Sequence, residues 1–224
     1  MREVIAELKT NKLLRFQSLI FFLLSLSFIV TNGLRSCWWG ECGLYVGQWH
    51  MHDAFWHISL VKSAFSSFPF SHPFFAGENV FGYNYFIDLI LFALTKIGLE
   101  PFFAFFRFLP MVISFLYIFM AIKFSRLYFK TSTQINSIIF FLFFGSSLSY
   151  LATLYAGNTF FYSSMRGFPV VTSIQPGMMF LNLQFALSLA LILATLILFK
   201  TSTKYLSVLW LTILMFSISG LKFY

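Results

Sequence analysis

Long apolar runs alternate with short polar breaks along this chain. Six runs reach the length a helix needs to cross a bilayer, near 14–31, 80–98, 101–122, 135–155, 178–199 and 205–222. A spanning helix takes about 17–25 such residues, and backbone groups in hydrocarbon must be satisfied within the segment itself. The runs are continuous. Ile138 to Phe144 and Leu187 to Phe199 do not alternate as barrel strands would. The pattern predicts an all-α, polytopic transmembrane bundle of about six spans. It forms a single integral membrane domain over 1–224, with a first span at 14–31, a loop over 32–79 and the remaining spans over 80–222.

The first run reads as a retained helix. It is long enough to span, and Thr31-Asn32-Gly33-Leu34-Arg35 is a poor cleavage site for a signal peptide. Arg2, Lys9, Lys12 and Arg15 outnumber Glu3 and Glu7 before it, which favours a cytoplasmic N-terminus and an extracytoplasmic loop at 32–79. Strict alternation then meets a conflict. Two full crossings between 80 and 122 would place 123–134 outside, although that segment carries Lys123, Arg126 and Lys130. Lys200 and Lys204 in the 200–204 turn raise the same conflict. Either the charge rule is broken, or 80–122 does not cross twice. Lys-Thr-Ser-Thr occurs at 130–133 and again at 200–203, each time between apolar runs, and reads as a polar turn with a Ser/Thr helix cap. The last apolar run leads straight to Leu221-Lys222-Phe223-Tyr224, so the sequence reads as the N-terminal part of a longer membrane protein.

Composition sharpens the class. The chain is 59% apolar, 22% aromatic and 10% charged, with 34 Phe among 224 residues, and its mean hydropathy is +0.82. Soluble domains average about 45–50% apolar and about 25% charged residues. An ordinary soluble globule, a disordered chain and a disulfide-rich miniprotein are thereby excluded, and a multi-pass protein of the cell membrane, surrounded by lipid, remains. The net charge of +8 does not point to nucleic acid. Its cations flank apolar runs instead of gathering in one stripe.

Candidate chemistry is concentrated in the first loop. It holds all four His (His50, His52, His57, His72), both Cys, four of the five Trp and three of the seven acids. Connections are usually about 4–6 residues, so a loop of this length is a functional segment or a small domain. Trp38, Trp39 and Trp49 suit a membrane interface. The densest stretch is His50-Met51-His52-Asp53-Ala54-Phe55-Trp56-His57-Ile58-Ser59-Leu60. As an interfacial helix it puts His50, Asp53 and His57 on one face, with Phe55, Trp56, Ile58 and Leu60 supplying an apolar side. Asp53 falls near the helix start, where the helix dipole favours a carboxylate. A carboxylate beside two imidazoles can accept a proton or help hold a divalent cation. The plainer reading is a polar face turned to water. No HExxH or paired CxxC motif marks a dedicated zinc site, and no residue is assigned as a metal ligand.

Beyond this helix, Phe68-Pro69-Phe70-Ser71-His72-Pro73 forms a stiff extended turn, followed by Gly77-Glu78 at the mouth of the second run. Asp88 inside that run is costly in lipid and marks a functional site or a structural ion pair, with Arg107 of the next run as the expected partner. The loop at 156–177 carries a single fixed charge, Arg166, which suits a phosphate oxygen or sets topology. Cys37 and Cys42 enclose Trp38-Trp39-Gly40-Glu41; on an oxidising face they can form a small disulfide loop, and free thiols are the other reading.

A first transmembrane helix followed by a large loop with His52-Asp53-Ala54-Phe55-Trp56-His57 resembles the GT-C class of membrane glycosyltransferases. Protein O-mannosyltransferases and lipid A aminoarabinose transferases belong to that class. Gly82-Tyr83-Asn84-Tyr85 and the His72 stretch resemble the end of the substrate loop, and Phe106-Arg107-Phe108-Leu109-Pro110 resembles the family's Arg-Leu-Pro signature. The likeness runs over about 10–155. The family's second acid is absent, Ala54 standing in its place, and the family has more spans. The resemblance implies inverting sugar transfer from a polyprenyl-phosphate-sugar lipid donor to an extracytoplasmic acceptor. Asp53 is then the base, Arg107 or Arg166 receives the lipid phosphate, and His57, His72 and Glu78 contact substrate, with a divalent metal as the cofactor such chemistry allows. Two other classes compete. A transporter or channel would work through Asp88, Arg107 and the helix break near Pro110. A non-catalytic membrane protein would use Trp38, Trp39 and Trp56 to bind a partner.

Overall fold

The structure, a computed structural model, describes residues 1–31, 34–38, 41–45, 51–63, 65, 70–80, 85–145, 183–201 and 210, with the backbone alone at 27, 28, 30, 31, 34–38, 41–45 and 51–54. In these residues the chain is mostly helical. A short amphipathic α1 (Arg2–Thr10) leads into α2 (Lys12–Thr31). A two-stranded antiparallel hairpin follows, β1 (Leu34–Trp38) and β2 (Glu41–Tyr45). Then come α3 (Met51–Lys62), α4 (Phe86–Lys96), α5 (Pro101–Tyr128), α6 (Ser132–Phe144) and α7 (Leu183–Thr201). Two of these helices, α5 with 28 residues and α7 with 19, are long and apolar enough to cross a membrane.

Local chemistry sets the boundaries. Thr131 and Gln134 form a reciprocal capping box at the start of α6, so the first Lys-Thr-Ser-Thr stretch is the polar cap its sequence predicts. In the second copy Thr201 is the last residue of α7, and the next two residues lie outside the described ones. Helix α4 stops at a Schellman turn. Gly98 takes the left-handed conformation (φ 99°), its N–H reaches Thr95 O, and the Leu99 N–H reaches Leu94 O. Glu100 then caps the Phe103 N–H at 2.7 Å, with Pro101 in the first turn of α5.

Helix α5 is the hub. It packs on α7, α2 and α6, while α2 also packs on α6. Its buried face runs through Ile113, Ser114, Tyr117, Ala121, Ile122 and Ser125. Phe21, Tyr117 and Phe143 fill the centre, Phe21 stacking on Phe143 at 4.5 Å. The Tyr117 hydroxyl donates to Leu142 O at 2.6 Å, occupying one of the carbonyls left over at the end of α6. Tyr117→Phe is therefore expected to cost about 1 kcal/mol. Reversible unfolding in detergent micelles measures it, and an unchanged midpoint would remove this capping role.

The ends of the bundle differ. Arg126 near the end of α5 binds Glu7 (3.2 Å) and the Glu3 carbonyl (2.8 Å) of α1. Asn11 donates to Asn136 at the start of α6 (2.9 Å), and Tyr128 to Leu196 O of α7 (3.1 Å). Hence the start of α2, the end of α5, the start of α6 and the end of α7 share one end, which carries Lys9, Lys12, Lys123, Arg126, Lys130 and Lys200. Helices α3 and α4 and the start of α5 pack together at the other end.

Lys123, Arg126 and Lys130 thus share an end of the bundle with the start of α2, as they do if 80–122 does not run the length of the bundle twice. The helix expected at 80–98 is described as an 11-residue helix, α4. It is about 16 Å long, roughly half a hydrocarbon core. Between α2 and α6 the described chain returns to the basic end along α5. Of the six expected spans, 205–222 lies almost wholly outside the described residues, as does the second half of 135–155.

Candidate functional site

The site lies at the end opposite Lys123, Arg126 and Lys130, where α3 rests on α4. Its centre is a buried polar pair. His57 Nδ1 on α3 is hydrogen-bonded to Asp88 Oδ1 on α4 at 2.6 Å, and their side chains are 10% and 0% exposed. Asp88 occupies the first turn of α4, where the helix dipole favours a carboxylate. Among the described residues its second oxygen, Oδ2, is buried without a hydrogen-bond partner. The Phe105 ring covers the imidazole at 5.4 Å.

Phe105 belongs to a single π turn, Ala104–Phe108, set inside α5. Its cause is Pro110. A proline has no N–H for the carbonyl four residues back, and its ring crowds that carbonyl. The ladder shifts to an i→i−5 bond from the Leu109 N–H to Ala104 O. This widened turn holds Arg107, which is half-buried there. Such turns often mark functional positions in helices.

The pairing corrects the sequence expectation. The partner of Asp88 is His57 from the loop, not Arg107 from the next helix. The facing of α3 is corrected as well. His57, read on the polar face, is buried with Ile58, Leu60 and Val61, while Phe55 is 45% exposed.

Asp53 stands in the first turn of α3, four residues before His57 and so on the same helical face. Its side chain lies outside the described ones, as do His50, His52 and Arg166. His72 is brought to α3 by its own loop. Ser71 bridges Asn79, the His72 N–H reaches Glu78 O at 2.7 Å, and the Val80 N–H reaches Phe70 O at 2.8 Å. The turn passes through Gly77 at φ 84°. Within it His72 Nδ1 accepts from the Phe74 N–H at 3.2 Å, and its ring lies 5.1 Å from that of Trp56. The Glu78 side chain is exposed, so this residue joins the site through its carbonyl.

The structure thus brings His57, Asp88 and the Arg107 turn together, with His72 beside them through Trp56. Sequence reasoning missed Trp56 and Phe105 as neighbours of the two histidines. The signal for Phe105 was its place two residues before Arg107, ahead of Pro110. Among the described residues no three His, Cys, Asp or Glu side chains converge as a metal site requires. A cavity of about 300 Å³ opens at the basic end, lined by Glu3, Val4, Lys123, Arg126, Leu127 and Thr201, and contains none of the residues above. No protein-family model, no curated protein and no solved structure matches this chain.

Proposed function

We propose that the chain is a multi-pass membrane protein in which the long apolar runs other than 80–98 cross the bilayer, its basic end in the cytoplasm. We propose further that it acts as a glycosyltransferase drawing sugar from a polyprenyl-phosphate donor. The membrane reading is supported by the two long apolar helices and by what they expose. Phe108, Met111, Val112 and Phe115 form an exposed apolar stripe on α5, as do Leu13, Phe16, Leu19 and Leu23 on α2. Small polar residues lie inside instead: Ser25, Ser114, Ser125 and Ser188. Hydrocarbon outside and small polar contacts inside suit a bilayer. The larger share of the described cations at one end suits its cytoplasmic face, Lys62, Lys96 and Arg107 being at the other.

One observation carries the enzymatic reading: the buried His57–Asp88 bond, which fastens the Asp53-bearing helix to the bundle. A catalytic acid on a loop needs such a rigid seat, because small errors of placement are expensive in rate. Asp53 accepts the proton of the acceptor hydroxyl as that oxygen attacks the anomeric carbon. The bond from that carbon to the phosphate oxygen breaks, and the polyprenyl phosphate leaves with the electron pair, stabilised by Arg107 or Arg166. His57 acts through α3 as a positioning residue, and His72 with Trp56 offers an aromatic wall for a sugar.

The test uses the full chain in membranes with labelled polyprenyl-phosphate sugars. Transfer by the wild type that is lost in Asp53→Asn at equal protein level supports the reading. A wild type that transfers from no donor, or an Asp53→Asn variant that transfers normally, removes it and moves attention to Asp88 and transport.

A further inference from the structure

The two cysteines sit in the hairpin between α2 and the site helix. Their pairing is fixed by register: Trp38 lies opposite Glu41, Cys37 opposite Cys42 and Ser36 opposite Gly43. Only two residues separate Trp38 from Glu41, so these two can pair only by exchanging both of their hydrogen bonds. Antiparallel pairs alternate in type, and Cys37 with Cys42 is therefore the next, non-hydrogen-bonded pair. In such a pair the Cα atoms stand about 4.5 Å apart with both Cβ atoms on the same face. A disulfide needs Cα atoms about 4.4–6.8 Å apart. The geometry points to a modification site: we propose that Cys37 and Cys42 are joined by a cross-strand disulfide in the mature protein.

The sheet has two strands and no more among the described residues. An isolated two-stranded hairpin is marginal in water, and its register is weakly specified where no face is buried. So short a covalent ring removes little entropy from the unfolded chain. What the bond supplies is register, holding the hairpin that leads from α2 into α3.

The bond forms by thiol–disulfide exchange. One cysteine thiolate attacks an external disulfide, of a protein or a small thiol, and releases one thiol. The other cysteine attacks the mixed disulfide and releases the second thiol. Two S–H bonds of the chain are lost, one S–S bond is gained, and the external disulfide is reduced to two thiols. The inference rests on the proposed orientation, which puts 32–79 on the extracytoplasmic, oxidising face.

The test labels denatured full-length chain, taken straight from cells, with a polymer-linked maleimide. The expected result is no adduct without reductant and two adducts after reduction. A double variant, Cys42→Ser with Gly43→Cys, moves one thiol to the opposite strand face and is expected to label without reductant. If that variant is protected as well as the wild type, the register argument fails. Two free thiols in the wild type overturn the proposal, and a second arm shows where. Purified chain that closes under glutathione disulfide locates the failure in the membrane side. Chain that stays open locates it in the register.

Discussion

Asp88→Ala is expected to destabilise the folded protein by about 3–5 kcal/mol, the cost of removing one partner from a buried polar pair. The carboxyl group is fully buried and bonded to His57 at 2.6 Å, so its loss strips the buried Nδ1–H of that acceptor and opens a gap at the start of α4. Water cannot easily fill the role, because Phe105 covers the ring. His57→Ala should cost nearly as much, since it leaves the Asp88 carboxyl buried alone. Two further variants separate pairing from packing. Asp88→Asn keeps an oxygen that accepts from Nδ1 and should lose much less. The double variant His57→Phe with Asp88→Leu replaces both polar groups by apolar ones and should recover most of the loss. Unfolding in detergent micelles measures all four. If the two alanine losses simply add in the Ala/Ala double variant, the pair is not coupled and the seat of α3 lies elsewhere.

The parts of the structure legible in the sequence are those decided by neighbours in the chain. Thr131 and Gln134 stand three residues apart, and the cap they form needs nothing else. Asp53 falls in the first turn of α3, where the spacing of the residues around it puts a helix start. Distance in the chain is what hid the rest. His57 and Asp88 are 31 residues apart, and no periodicity links a loop histidine to an acid in the next apolar run. Arg107 was the obvious counterion on charge alone, yet an imidazole from the loop takes that place.

The short α4 was illegible for a different reason. Hydropathy counts apolar residues, not helical ones. Val80 is apolar and buried, but its N–H pairs with Phe70 O in the loop that carries His72. The Schellman turn at Gly98 then ends the helix after three turns. The pattern of charges was the better guide: it grouped 123–134 with the N-terminal segment, and the contacts of Arg126 with Glu3 and Glu7 join the two.

Asp53→Asn is expected to lower sugar transfer by about 10²–10⁴-fold, the usual contribution of a positioned general base. The amide is nearly isosteric but takes no proton, so the acceptor hydroxyl must attack without help. Stability is expected to change little, because the amide keeps the size and shape of the carboxylate. The comparison with Asp88 makes the result decisive. Asp88→Asn preserves the bond that seats α3, so it should retain transfer within about tenfold at full folding. A base at Asp88 would give the opposite order: Asp88→Asn inactive, Asp53→Asn active, and both folded. Reading transfer and unfolding on the same two membranes therefore separates the residue that reacts from the residue that holds the helix in place. The two roles need opposite surroundings. A base must meet the acceptor, which the buried Asp88 can do only if α3 lifts away, and a seat must stay dry.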